Sequence, residues 1–279
     1  MKPKPLNLVA ALGALAIVVA APTSRAASGT PITSCAQTVT TNAVLTQDLS
    51  CTGAGVVVGA PGITIDLKGF TLRGDRDPGD YGIDDSAGYD NVSVKNGVLR
   101  NFGVGVLGNS SANNLKVTSV IASGNAIGGI AVVGSSASIK STTTAGNGSY
   151  GIATFGTSTS VASSIVAGNA ADGISVGGDQ ARITSVTVAG NGDRGIVVGG
   201  DFASIRSSTV AGNGTVGIVV GGNAASITGN RTDGNGFVGG TSDSAGLGVY
   251  VLNFTVSPTG TNLARGNDDP AECNPGQLC

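Results

Sequence analysis

Histidine and tryptophan are absent from the 279-residue chain, aromatic residues make up only 4% of it, and charged residues 11%. The missing histidine removes the commonest general base and metal ligand of proteins. No leucine occurs between Leu115 and Leu247. This gap excludes a leucine-rich repeat, in which leucines recur within every unit.

Glycine is abundant, with 47 residues, and the central region is otherwise rich in valine, isoleucine, threonine and serine. Beta-branched residues favour extended chain, whereas glycine weakens helices. The composition therefore predicts short strands separated by turns.

The region from Gly124 to Asn235 repeats every 22 residues. Gly-Asn pairs recur with asparagines at Asn125, Asn147, Asn169, Asn191, Asn213 and Asn235. Gly-Ile pairs recur with isoleucines at Ile130, Ile152, Ile174, Ile196 and Ile218. A fixed period in this range indicates stacked units rather than a globule.

Stacking places each residue above its counterpart 22 positions earlier, at about the 4.7–4.9 Å inter-strand spacing. The isoleucines then form one interior ladder, and Ser141, Ser163, Ser185 and Ser207 are predicted to form another. The next column, Thr142, Ser164, Val186 and Ser208, is predicted to face outward. We interpret the asparagine column as a structural amide ladder, because stacked amides hydrogen-bond to their copies above and below.

The first 26 residues have the pattern of a secretory signal peptide: two lysines, an apolar run from Leu8 to Ala21, and small residues before a cleavage point after Ala26. The chain has four cysteines, and an even count in an exported protein favours disulfides. Of three possible pairings, Cys35–Cys51 with Cys273–Cys279 joins sequence neighbours and would staple the two ends. We therefore expect a secreted protein, extracellular or periplasmic.

Cleavage leaves a chain with 12 basic and 17 acidic groups. This balance argues against a nucleic-acid partner. It also does little for a strongly anionic polysaccharide, unless a local basic patch or a bound metal compensates. No second long apolar run follows the leader, so no membrane span is expected after cleavage.

Three segments carry a resemblance: the stretch from Gly62 to Gly74 (GITIDLKGFTLRG), Tyr81-Gly82-Ile83, and the stretch from Gly88 to Gly97. They resemble exported right-handed parallel β-helix repeat proteins of the pectin-lyase-like superfamily. The resemblance implies an all-β right-handed parallel β-helix (solenoid) with 22-residue rungs and disulfide-stapled ends. The expected layout is a cap over 27–54, rungs over 55–265 and a tail over 266–279.

Acidic residues cluster between Asp75 and Asp90, and from this region we select Tyr81, Asp84 and Asp85 as candidate ligand-binding residues. The Tyr81–Asp84 segment resembles a tyrosine- and aspartate-bearing segment of alginate epimerases, although the histidine of that motif is missing. Clustered carboxylates also suit Ca²⁺, but a solvated polar loop explains the same residues. No cofactor is otherwise implied.

A second candidate group lies in the repeats: Asp179 and Asp201 in one turn column, with Arg182 and Arg206 on the rungs that follow. Aspartate after a Gly-Gly pair is also common turn chemistry. Lys140 shares a column with Arg206 but lies three rungs away.

These observations favour a secreted protein that binds extracellular polysaccharide without evident catalysis. A polysaccharide lyase or C5-epimerase of the same fold is the enzymatic alternative, and the sequence leaves open whether the protein is an enzyme. A structural or adhesive module is a third hypothesis, because an outward column could support self-association. That column comprises Ala131, Ala153, Ser175, Val197 and Val219.

Overall fold

The computed structural model describes residues 29–236, 249–251, 262–265 and 273–274. All regular structure in these ranges is β-strand, arranged in parallel sheets of 18 and 11 strands. The described residues contain no helix long and apolar enough to cross a membrane. The expected leader over 1–26 and the expected Cys273–Cys279 disulfide lie outside what the structure describes.

Each turn of the chain contributes up to three short strands, so the molecule has three faces. Face A is the 11-stranded sheet: Gln37–Val39, Val56–Val58, Tyr81–Asp85, Val104–Gly108, Gly128–Val132, Ile152–Thr154, Ile174–Val176, Ile196–Val198, Ile218–Val220, Val249–Val251 and Cys273–Asn274. The 18-stranded sheet bends and supplies both other faces.

Face B contains the strands that follow face A in each turn. Its strands are Thr30–Ile32, Ala43–Leu45, Thr64–Asp66, Ser93–Arg100, Lys116–Ser123, Ser138–Lys140, Ser160–Ala162, Arg182–Thr184, Ser204–Arg206 and Ser226–Thr228. The two eight-residue strands of this set, Ser93–Arg100 and Lys116–Ser123, continue into face C. The remaining strands of face C are Leu49–Ser50, Thr71–Arg73, Thr143–Ala145, Ile165–Ala167, Thr187–Ala189, Thr209–Ala211, Arg231–Asp233 and Leu263–Arg265.

The strand register confirms that the sequence period is the length of one rung. Ile152 pairs with Ile174, which pairs with Ile196, always in parallel. Earlier rungs are longer, since Ile83 pairs with Val106 and Val106 with Ile130, in steps of 23 and 24. The chain is therefore a parallel β-helix with 22-residue rungs, as expected.

Aliphatic side chains fill the interior, and the isoleucines of face A are fully buried. The Asn ladder runs along the corner between faces C and A. Asn147 Nδ2 donates to Asn169 Oδ1 at 2.8 Å, and Asn169 Nδ2 donates to Asn191 Oδ1 at 2.9 Å. Phe102 lies where the ladder would continue; it is fully buried, and its N–H donates to Asn125 Oδ1 at 2.9 Å. These contacts satisfy polar backbone groups at a corner that water does not reach.

The predicted inward serine column is wrong, and so is the predicted outward column beside it. Ser163 is exposed and has a φ of +50°, and its equivalents share both properties. Ser164, by contrast, is buried and its hydroxyl accepts the Thr142 N–H at 3.2 Å. Side chains alternate between the two sides of a strand only while the chain stays extended. The left-handed residue at the corner between faces B and C shifts that alternation by one position.

The first coil is closed covalently by the Cys35–Cys51 disulfide, which was expected from the spacing. Its strands already pair with the rungs that follow, Thr30–Ile32 with Ala43–Leu45 and Gln37–Val39 with Val56–Val58. The segment expected to cap the solenoid thus forms the beginning of the same sheets.

Candidate functional site

Two of the predicted residues, Tyr81 and Asp84, lie on one strand of face A. Ile83 of this strand is fully buried, whereas Tyr81 and Asp84 are half-buried. Asp84 Oδ1 accepts the Ser86 N–H at 2.9 Å, a local turn contact that holds the carboxylate at the end of the strand. A phenol and a carboxylate are therefore presented together at the outer surface of face A.

Asp85 is placed differently, because its side chain is fully buried in the interior. Oδ1 accepts the Tyr89 N–H at 2.8 Å, and Oδ2 has no hydrogen-bond partner. Burial raises the pKa of Asp85 to about 6, with a further rise from Asp84 and Asp90 that the hydrogen bonds from Tyr89 and Gly88 partly oppose. Asp85 is consequently unavailable to a ligand outside the coil.

The acidic loop before this strand consists of self-contained turns. The Asp77 N–H donates to Asp75 Oδ1 at 3.1 Å, and the Gly79 N–H donates to Asp77 Oδ1 at 2.8 Å. Burial and then the charges of Asp77 and Asp75 raise the pKa of Asp80. Across the described part of the chain, no three His, Cys, Asp or Glu side chains converge to hold a metal ion.

Tyr150 belongs to the same outer surface of face A, and the sequence gave no sign of it. A Cβ built on Gly128, one repeat earlier, would lie 2.0 Å from Tyr150 Cε2, so the ring rests directly on the glycine backbone. Burial raises the pKa of Tyr150, and the nearby Tyr81 raises it further. The missing signal was the Gly128–Tyr150 step, in which a residue without a side chain precedes an aromatic one in the same column.

The next two positions of that column form an ion pair. Arg194 donates from Nε to Asp172 Oδ1 and from Nη2 to Asp172 Oδ2, both at 2.9 Å. A bidentate geometry of this kind holds the guanidinium in place. Arg194 also lies 3.5 Å from the Asp193 carboxylate, so its charge is already compensated.

Asp179 and Asp201 form hydrogen bonds between rungs at the corner between faces A and B. Asp179 Oδ1 accepts the Asp201 N–H at 2.8 Å, and Asp201 Oδ1 accepts the side chain of Asn223 at 3.1 Å. These bonds satisfy turn amides from one rung to the next. The two carboxylates therefore have a structural task in addition to any contact with a ligand.

Arg182 and Arg206 meet in a depression of about 250 Å³ on the outer side of face B. Ser160, Ala162, Thr184 and Ser204 line the rest of it. Both arginines are exposed, and Arg206 Nε donates to Thr184 Oγ1 at 3.2 Å. The structure thus joins these two predicted residues and separates them from Tyr81 and Asp84, which belong to another face.

The column expected to support self-association has little free surface. Ala131, Ala153 and Val219 are each no more than 8% exposed. Ser175 and Val197 are half-buried.

No protein-family model matches the chain, and no curated protein sequence matches it. Among solved structures, the chain is similar to the A-module of mannuronan C-5 epimerase AlgE4 from Azotobacter vinelandii, with a TM-score of 0.58 and 14% identity over 81% of this chain and 74% of that one. For the A-module of AlgE6 from the same organism, the TM-score is 0.44 with 12% identity over 84% and 76% of the two chains. The likeness to AlgE4 shows a shared fold, the parallel β-helix of pectin-lyase-like type.

Proposed function

We propose that this β-helix is an exported protein that binds extracellular polysaccharide, and that it does so in the depression on face B. The observation that carries the proposal is the meeting of Arg182 and Arg206 among hydroxyl-bearing and small side chains. The Cys35–Cys51 disulfide supports export, because disulfides persist in oxidising compartments.

The lining of the depression suits a sugar chain. Guanidinium groups and hydroxyls supply hydrogen-bond donors and acceptors, and Ala162 leaves the floor open. The strands beneath are held in register on both sides, since Arg182–Thr184 pairs with Ser160–Ala162 and with Ser204–Arg206. A site on rigid strands loses little conformational entropy when it binds.

The test is retention of the chain from residue 27 onward on a panel of immobilised neutral and acidic polysaccharides. We compare the unchanged chain with the double variant Arg182→Ala/Arg206→Ala. The matched control is Arg73→Ala/Arg100→Ala, which removes two exposed arginines from face C. Weaker retention of the first variant alone is expected. Equal retention of all three proteins, or no retention of the unchanged chain on any polymer, would refute the proposal.

A second candidate is polysaccharide lyase or C5-epimerase activity at face A, favoured by the presence of Tyr81 and Asp84 on one strand and of Tyr150 nearby. Such chemistry needs a base for the proton beside a carboxylate and positive charge to stabilise the intermediate. The cation in this column, Arg194, is held by Asp172. This engagement is the reason that binding is the first proposal.

The enzymatic candidate is tested by incubation with uronate polymers. Ultraviolet absorbance reports the unsaturated ends made by a lyase, and proton NMR reports a change of configuration at C5. Activity that is lost in Tyr81→Phe or Asp84→Asn but retained in Arg182→Ala/Arg206→Ala would establish chemistry at face A. Absence of both signals on polymers that the protein retains would reject it.

A further inference from the structure

The outer side of face B carries two columns of side chains that run the length of the helix. The strand register defines the first as Ser93, Lys116, Ser138, Ser160, Arg182, Ser204 and Ser226. The second is Asp66, Lys95, Thr118, Lys140, Ala162, Thr184, Arg206 and Thr228. Basic residues and hydroxyls make up nearly all of both columns.

Five cations follow one another along these columns, and we call them the basic strip. The basic strip consists of Lys95, Lys116, Lys140, Arg182 and Arg206. One cation lies on each successive rung, with a single break at the Ser160–Ala162 rung, and neighbouring cations alternate between the two columns. Five rung steps separate Lys95 from Arg206, a length of about 24 Å at the usual inter-strand spacing.

Little within the protein neutralises this charge. Asp66 is the one acidic residue of the two columns, and its carboxylate lies 3.1 Å from Lys68 Nζ and 3.6 Å from Lys95 Nζ. Over the described residues, none of the other four cations of the strip has an acidic group within 4.0 Å. Like charges on adjacent strands repel one another, so the strip gains stability from an anionic partner.

We infer that the basic strip binds an acidic polysaccharide that lies along the helix axis, an inference that rests on the proposed function and names its class of ligand. The depression at Arg182 and Arg206 is then one end of a longer site. The carboxylates of successive sugar units pair with the ammonium and guanidinium groups, and the sugar hydroxyls bond to the serines and threonines between them. The ligand is held by charge along its length rather than in a single pocket.

The chemistry of the strip favours a glycan over a nucleic acid. Proteins that bind single-stranded nucleic acid add aromatic side chains on which the bases stack. The two columns of face B contain no aromatic residue over their described length, from Asp66 to Thr228. Their intervening residues are hydroxyls, which match the hydroxyls of a sugar chain.

Net charge concealed this site. The acidic excess of the sequence argued against a strongly anionic polymer unless a local basic patch existed, and face B supplies that patch. The acids lie elsewhere, in the loop from Asp75 to Asp90 and at the corner where Asp179 and Asp201 bond to turn amides. Attraction between surface charges fades beyond roughly 8–10 Å at moderate salt, so a local row of cations outweighs a distant acidic excess.

The experiment measures affinity by isothermal calorimetry for polygalacturonate and for the same polymer fully methyl-esterified, which keeps the backbone and removes the charge. We expect binding of the acid form that weakens as salt rises, and at least about tenfold weaker binding of the ester. Oligogalacturonates too short to reach from Lys95 to Arg206 should bind more weakly than longer ones. A short DNA duplex at the same salt is the third probe.

The variant Lys95→Gln/Lys116→Gln/Lys140→Gln leaves the depression intact and should weaken polygalacturonate binding about tenfold, since each exposed charge contributes a modest amount. Arg73→Gln/Arg100→Gln is the charge-matched control on face C and should change little. Equal binding of acid and ester, equal binding of variant and control, or tighter binding of DNA would overturn the inference. Retention of neutral polymers that needs Arg182 and Arg206 would then leave the proposed function standing.

Discussion

Asn147 Nδ2 lies 2.8 Å from Asn169 Oδ1, and that same oxygen accepts the Asn147 backbone N–H at 3.1 Å. One buried amide thus satisfies two donors of the preceding rung, while its own Nδ2 donates to the next asparagine. This relationship recurs from Asn125 to Asn235 and ties consecutive rungs together at the corner between faces C and A.

Replacement of Asn169 by alanine should destabilise the chain by about 2–4 kcal/mol, because it leaves buried polar groups of two rungs without partners. Urea unfolding followed by circular dichroism measures the loss. Thr187→Ala, an exposed change on face C, is the control and should stay within about 0.5 kcal/mol of the unchanged chain. A similarly small effect of Asn169→Ala would contradict the structural role of the ladder.

Asp85 should make stability depend on pH. Its pKa in the folded chain is about 6, above the ordinary 3.8, so the folded chain binds this proton more tightly than the unfolded chain. The stabilising contribution of the protonated acid is therefore complete below about pH 4 and is lost as the pH rises through 6, a difference of about 3 kcal/mol.

Asp85→Val tests this dependence, since Val132 occupies the same interior column two rungs later. The variant loses the hydrogen bond from Tyr89, yet it should be more stable than the unchanged chain at pH 7. At pH 4 that advantage should vanish. Parallel urea titrations at the two pH values decide the matter, and a difference independent of pH would show that Asp85 is not the responsible group.

Reduction of the Cys35–Cys51 disulfide should lower the stability of the first coil. The bond spans 16 residues, and a loop of this size contributes about 3 kcal/mol in the chain-entropy description. Thermal unfolding of Cys35→Ala/Cys51→Ala, compared with the unchanged chain with and without reductant, measures the effect. If the double variant melts with the oxidised chain, the bond does not stabilise the fold.

Gly128→Ala should displace the Tyr150 ring, because the added Cβ would lie 2.0 Å from Cε2. The displaced phenol enters water, so its raised pKa should fall toward the ordinary value. Spectrophotometric titration of the tyrosines detects the shift. Gly199→Ala is the control, as its Cβ would meet no atom closer than 3.9 Å. An unchanged titration of Gly128→Ala would show that Tyr150 does not rest on this backbone.

The sequence by itself determined the fold and its main internal supports. The 22-residue period specified the rung, the Gly-Asn recurrence identified the corner ladder, and the cysteine spacing identified the Cys35–Cys51 bond. Phe102 was recognisable as an interruption of the asparagine column. Each of these features repeats along the chain or joins near neighbours, so one dimension is enough to reveal it.

Only the tertiary structure decided which side chains face outward at the corners and which lie together on one face. A single left-handed residue such as Ser163 reverses the alternation that follows it, and the composition of the corner does not announce that conformation. The basic strip depends on the same geometry, because Lys116 and Arg182 share one column while Lys95, Lys140 and Arg206 share the other. Cations more than 20 residues apart become neighbours only when coiling reduces each rung to one inter-strand step.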